Sequence, residues 1–113
     1  MIINGVELDF RLYDEDKADI KDRYFEELKK MKGIKDKMPE GSERERNKYL
    51  CDRIKGFFDR VFGEGTGAAA CGEGNDLLEH LRVYDAIVTE QLRQQEEYKL
   101  IMDHLKSVKG INK

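Results

Sequence analysis

The sequence has no tryptophan, one proline, two cysteines and two histidines, and no long apolar run. Each shortage narrows what the chain can be. A transmembrane helix takes about 18 or more consecutive apolar residues, and charges interrupt every stretch well before that. No membrane span is expected. Residues 1–12 carry Glu7, Asp9 and Arg11, which break the apolar run of a secretory leader. Little serine and proline, with the apolar residues grouped, argue against long disorder. Two thiols without a leader or a Cys-x-x-Cys spacing are expected to be free, and an intracellular, cytoplasmic location is expected with them. Cys51 sits among apolar positions and reads as a small core residue. Cys71 lies among glycines and is expected nearer to solvent.

Charge is what the chain has in excess. Its 21 basic and 24 acidic residues make 40% of 113, with a net of −3, against about 25% in ordinary domains. More than half of these charges fall in residues 14–60. One domain is expected at this length. A nucleic-acid binder gathers its bases on one face, because affinity comes from releasing counterions around phosphates. The nearest candidate is residues 29–37, with Lys29, Lys30, Lys32, Lys35 and Lys37. It follows an acidic stretch, and acids first with bases last is the order a helix dipole favours. Nucleic acid is therefore not the expected partner. A small regulatory module contacting nucleic acid through this basic stretch stays as the alternative.

Periodicity supplies the architecture. Asn4-Gly5 has the two residues a tight type I′ turn requires. After it Val6, Leu8, Phe10 and Leu12 alternate with charged residues, the pattern of a half-buried strand. Residues 1–12 are thus expected to form a β-hairpin whose packing face is Val6, Leu8, Phe10 and Leu12. A first helix is expected over residues 14–33, capped by Asp14 or Asp16, with Ile20, Tyr24, Leu28 and Met31 in one stripe. Ser42-Glu43-Arg44-Glu45 is a capping box opening a second helix over 42–62. Leu50, Ile54, Phe57, Phe58, Val61 and Phe62 make its apolar face. Residues 63–75 hold five of the ten glycines and read as a flexible connector, with room for one helical turn through the alanines.

Residues 76–107 read as one long helix. Leu77, Leu81, Tyr84, Val88, Gln91, Gln95, Tyr98, Met102 and Leu105 step by four and three in a heptad pattern. At 1.5 Å per residue such a helix is roughly 45 Å long, whereas a compact domain of this size is about 27 Å across. Its distal half should overhang the core and pack on another chain. Val88, Leu92, Gln95, Tyr98, Ile101, Met102 and Leu105 are the candidate surface for self-association or for a client. The predicted class is mainly α: a three-helix domain with a short N-terminal hairpin and a long C-terminal helix, α+β at the margin.

Chemistry-bearing patterns are sparse. Gly63-Glu64-Gly65-Thr66-Gly67 lacks the Gly-Lys-Ser/Thr ending of a phosphate loop, and its glycine spacing does not fit a dinucleotide fingerprint. His80 and His104 lie 24 residues apart on one helix, roughly 36 Å, too far to share a metal. No Ser/His/Asp or Cys/His arrangement stands out. No catalytic residue, cofactor or metal is expected, and an enzyme built on Cys71 is the remotest reading.

Three segments together resemble a family of small proteins encoded in tail modules of phages and prophages of Gram-positive bacteria. They are Ile3-Asn4-Gly5-Val6-Glu7-Leu8-Asp9-Phe10, Phe57-Phe58-Asp59-Arg60-Val61-Phe62-Gly63-Glu64-Gly65-Thr66, and the final helix with Asn75 near its start. The likeness runs from residue 2 to about 95 and departs at Gly67-Ala68-Ala69-Ala70-Cys71-Gly72, which is small and apolar. It implies a tail assembly chaperone, a helical, oligomerising protein that holds the tape-measure protein before the tail tube polymerises. On this reading the partners are other copies of the chain and a tape-measure client, and no catalytic residues carry over.

Overall fold

A computed structural model describes the backbone of residues 1–111 and the side chains of residues 1–107. The chain is mainly helical, with a two-stranded antiparallel hairpin and a long C-terminal helix. In order, the elements are β1 (Ile2–Ile3), β2 (Val6–Glu7), α1 (Ala18–Lys32), α2 (Glu43–Phe62), α3 (Thr66–Cys71) and α4 (Leu77–Ile111). Short 3-10 turns precede α1 at Glu15–Lys17 and follow it at Ile34–Lys37.

The hairpin turns at Asn4 and Gly5, both at positive φ (49° and 81°), as a type I′ turn demands. Its ladder is short. Ile2 pairs with Glu7 and Ile3 with Val6, and Leu8 and Met1 close it by exchanging backbone hydrogen bonds. The strand expected through Leu12 stops at Glu7 because β1 offers no partner beyond residue 8. Alternation nevertheless persists in packing: Leu8, Phe10 and Leu12 are buried while Val6 is half-buried. The missing ladder is replaced by one side chain of α4. Gln94 accepts the Leu12 N–H at 2.8 Å and donates to the Phe10 carbonyl at 2.7 Å, which satisfies backbone groups that burial would otherwise strand.

Helix α1 is introduced by Asp14, whose side chain accepts the Asp16 N–H. Gly33 closes it, its N–H directed at the Lys30 carbonyl. Tyr24 and Met31 face inward with Ile20 and Leu28 half-buried, and Glu27 is buried beside them. Helix α2 opens at Ser42, which accepts the Glu45 N–H at 3.2 Å. The Glu45 carboxylate returns to the Ser42 hydroxyl, rather than to the backbone N–H a full capping box would engage. Cys51, Ile54, Phe57, Phe58 and Val61 bury its inner face. Aromatic edges then knit the core. Phe10 meets Tyr24 at 4.7 Å between ring centroids, Tyr24 meets Phe57 at 5.7 Å, and Phe57 meets Tyr84 at 5.4 Å, the tilted geometry aromatic pairs prefer.

The glycine-rich stretch is not the flexible connector its composition predicts. It folds back as α3 with Gly67, Ala70 and Cys71 buried. Small residues are needed because this helix lies directly on α2: a Cβ at Gly67 would sit 2.3 Å from the Lys55 carbonyl oxygen. Asp59 of α2 accepts the Gly67 N–H at 2.7 Å, supplying the N-terminal acceptor that Gly65 lacks. Asn4 donates to the Ala70 carbonyl at 2.7 Å, and Lys55 donates to the carbonyls of Glu73 and Gly74. Cys71, expected near solvent, is 4% exposed, because α3 turns it inward.

Candidate functional site

Helix α4 has 35 residues, roughly 52 Å at 1.5 Å each. The molecule measures 65 × 29 × 22 Å, with a radius of gyration of 17.4 Å against about 13 Å for a compact chain of this length. The excess length is the helix, whose distal part extends beyond the body.

Its buried row differs from the expected seam. His80, Val83, Ile87 and Gln91 face the core, while Leu77, Tyr84 and Val88 are half-buried and Leu81 is exposed. Apolar residues occur nearly all round the first half of α4, so period alone does not select a face. The small-residue surface of α3 and the aromatic face of α2 make that selection. Gln91 lies in the row because it has a partner: the Tyr24 hydroxyl donates to its Oε1 at 2.6 Å, and its Nε2 donates to Gln95 Oε1 at 3.2 Å. Burial pushes the Tyr24 hydroxyl well above its ordinary pKa, keeping it a neutral donor.

Continued by the same steps of three and four, the row passes Gln94 and reaches Tyr98, Ile101 and Leu105. Helical spacing keeps these on one face, yet they are 46%, 53% and 54% exposed. The core ends before its helix does. Among the candidate surface residues, Leu92 is also exposed, on a neighbouring face, while Val88, Gln95 and Met102 are half-buried. From the body Tyr13 reaches the arm: it stacks flat on Tyr98 with centroids 4.2 Å apart, and Lys21 lies over the Tyr13 ring.

Beside this stack is an open groove of about 470 Å³ between the N-terminal segment and α4, with Met1, Phe10, Ile101 and Arg93 among its lining residues. Arg93 contacts Glu90 at 2.8 Å and Glu97 at 3.3 Å. Hydrogen bonds from Arg93 and Gln94 hold the Glu90 carboxyl below the usual range, outweighing burial. The Glu90 carboxylate is therefore ionised and engaged, unlike a general acid, whose pKa is raised toward neutrality.

Elsewhere, each chemistry-bearing group has a structural setting. The His80 Nδ1 lies 2.6 Å from the Asp76 carbonyl, which can only accept, so Nδ1 carries the proton and the buried Nε2 has no protein partner. His104 is exposed on the arm. Burial raises the Cys71 thiol to about 11, the opposite of an activated nucleophile. Glu27 would be raised by burial, but Arg60 and Lys30 bond it and hold its carboxyl below the ordinary value. Lys29, Lys30 and Lys32 are exposed in the last turn of α1. Among the described residues, no three His, Cys, Asp or Glu side chains gather as a metal site. Within the same residues, no helix is long and apolar enough to cross a membrane.

The class these features define is a small, mostly helical domain with a projecting helical arm and an uncovered continuation of its core face. The chain belongs to DUF6673, a family of unknown function, whose family model matches residues 4–109. No curated protein and no solved structure matches it.

Proposed function

We propose that this protein is a non-enzymatic tail-morphogenesis protein of a phage or prophage. It acts in the host cytoplasm as an assembly chaperone that oligomerises and holds a tape-measure-like client. One observation carries the reading: the buried row of α4 runs on without a break into Tyr98, Ile101 and Leu105, where the body ends and these side chains are about half exposed. Uncovered apolar surface in register with a core is a helix-pairing face. A sister subunit is the occupant of first choice, and an amphipathic client helix uses the same chemistry. The charged outer faces of α1 and α2 keep such an assembly dispersed. The phage role itself rests on the resemblance of the hairpin, the Phe57–Thr66 motif and the last helix.

Size-exclusion chromatography with light scattering tests the reading. The protein is expected to run as an oligomer at tens of micromolar, and Ile101→Glu with Leu105→Glu to run as a monomer with unchanged helicity. A wild-type chain that stays strictly monomeric would sink the proposal. The regulatory alternative makes a different demand: salt-dependent retention on DNA that disappears on Lys29→Glu and Lys35→Glu.

A further inference from the structure

The packing of α3 sets the two thiols on facing helices. Helix α3 doubles back along α2, in close contact where Gly67 meets the Lys55 backbone. The hydrogen bond from the Gly67 N–H to Asp59 fixes the sense of the pair: residues rising along α3 meet residues falling along α2. Cys71 is one turn beyond Gly67, and Cys51 is one turn before Lys55. Steps of four in opposite senses stay opposite in antiparallel helices, so Cys71 comes to lie across from Cys51. Both thiols are free and buried, at 4% and 0% exposure, and Cys51 is among the groups whose charge bears on Cys71. Ordinary helix pairs stand 8–10 Å apart, whereas a disulfide asks for Cα atoms about 4.4–6.8 Å apart. A glycine at the contact permits that closer approach.

We propose that Cys51 and Cys71 are a redox-modifiable pair, closed into an intramolecular disulfide by a low-molecular-weight disulfide such as oxidised glutathione. Helix α3 has six residues and is flanked by Gly63, Gly65 and Gly72, all at positive φ. Oxidation requires this short helix to lift from α2, which bares Cys71 first. The Cys71 thiolate attacks the small disulfide, forming a mixed disulfide and releasing one small thiolate. When α3 returns, the Cys51 thiolate attacks the Cys71 sulfur and expels the second. Two protein thiols are oxidised to one disulfide, one small disulfide is reduced to two thiols, and the protein's two protons end on the released thiolates. The bond staples α3 to α2 and so fixes the Ala70 carbonyl that receives Asn4 of the hairpin. The proposal is independent of the oligomeric role.

The test uses the wild-type chain under native conditions. Oxidised glutathione is added, remaining thiols are alkylated, and the non-reduced tryptic digest is weighed. The expected product is a single chain lighter by two hydrogens, with peptide 49–53 joined to peptide 61–82. Its Tm should exceed that of the reduced chain by on the order of 10 °C, and dithiothreitol should reverse both changes. Cys71→Ser should yield no joined peptide. Two thiols that stay separately alkylated or glutathionylated, a link only between chains, or a link that lowers Tm would each show that the pair does not face in the native fold, and would overturn the proposal.

Discussion

Gly67→Ala is the sharpest probe of the packing described above, because two opposing effects predict opposite signs. In an unobstructed helix, alanine is about 1 kcal/mol better than glycine, and Gly67 is helical with an ordinary φ. Against this, the new Cβ would lie 2.3 Å from the Lys55 carbonyl oxygen and 2.7 Å from its Cα. These are backbone atoms of a 20-residue helix and cannot rotate aside. Helix α3 must retreat by more than an ångström, lengthening the Asp59–Gly67 hydrogen bond of 2.7 Å and the Asn4–Ala70 bond of 2.7 Å. Overpacking of this kind costs about 1–3 kcal/mol, and each weakened hydrogen bond adds about 1 kcal/mol. After the helix-propensity gain is subtracted, a net loss of about 2–4 kcal/mol remains, a fall in Tm of roughly 10–15 °C for a chain this size. Urea unfolding followed by circular dichroism measures it. Gly74→Ala is the control, since no atom stands within 4 Å of its Cβ and its φ is not positive; its stability should stay within about 0.5 kcal/mol of wild type. A Gly67→Ala variant as stable as wild type, or more so, would refute the close α2–α3 contact.

Other perturbations separate the remaining contacts. Tyr24→Phe leaves Gln91 Oε1 buried without its donor and should cost about 1–3 kcal/mol, with Tyr24→Phe/Gln91→Leu losing less than the two single changes added. Gln94→Ala removes both clamps on the N-terminal segment; amide exchange at Leu12 should accelerate markedly while the α2 amides stay protected. Glu27 titrates below its ordinary 4.5 in the folded chain, since Arg60 and Lys30 overcome its burial. A lowered carboxyl contributes stability that is present above the unfolded value and lost as pH falls through the folded one. Glu27→Gln should therefore lower stability at pH 7 and flatten the decline below about pH 4.5; an unaltered decline in urea titrations would contradict the pairing.

Much of the helical layout was legible because it rests on local chemistry. Ser42 caps α2 whatever its neighbours are, Asn4-Gly5 turns wherever it occurs, and Gly33 stops α1. The period of α4, and the mismatch between its length and that of a compact body, follow from rise per residue alone. The candidate surface was legible to the same extent. Tyr98, Ile101 and Leu105 could be named from spacing, but that they prolong the His80–Gln91 row, and not one through Leu81, could not.

What only the tertiary structure decided are the contacts between segments distant in the chain. Whether seven residues after Asn4-Gly5 form a strand depends on the length of the partner strand, and here Gln94, more than 80 residues away, does the work of a ladder. Whether Gly-Thr-Gly-Ala-Ala-Ala-Cys is slack or helical depends on α2, whose Lys55 backbone leaves room for glycine alone. Glycine and alanine carry too little side chain to announce a burial face, so composition reads them as a loop. The sequence by itself determined α1, α2 and the overlong α4, because backbone geometry and capping are local. Which face each helix buries and where the core stops were settled by packing, because only assembled neighbours can exclude water from one side of a helix and leave the other exposed.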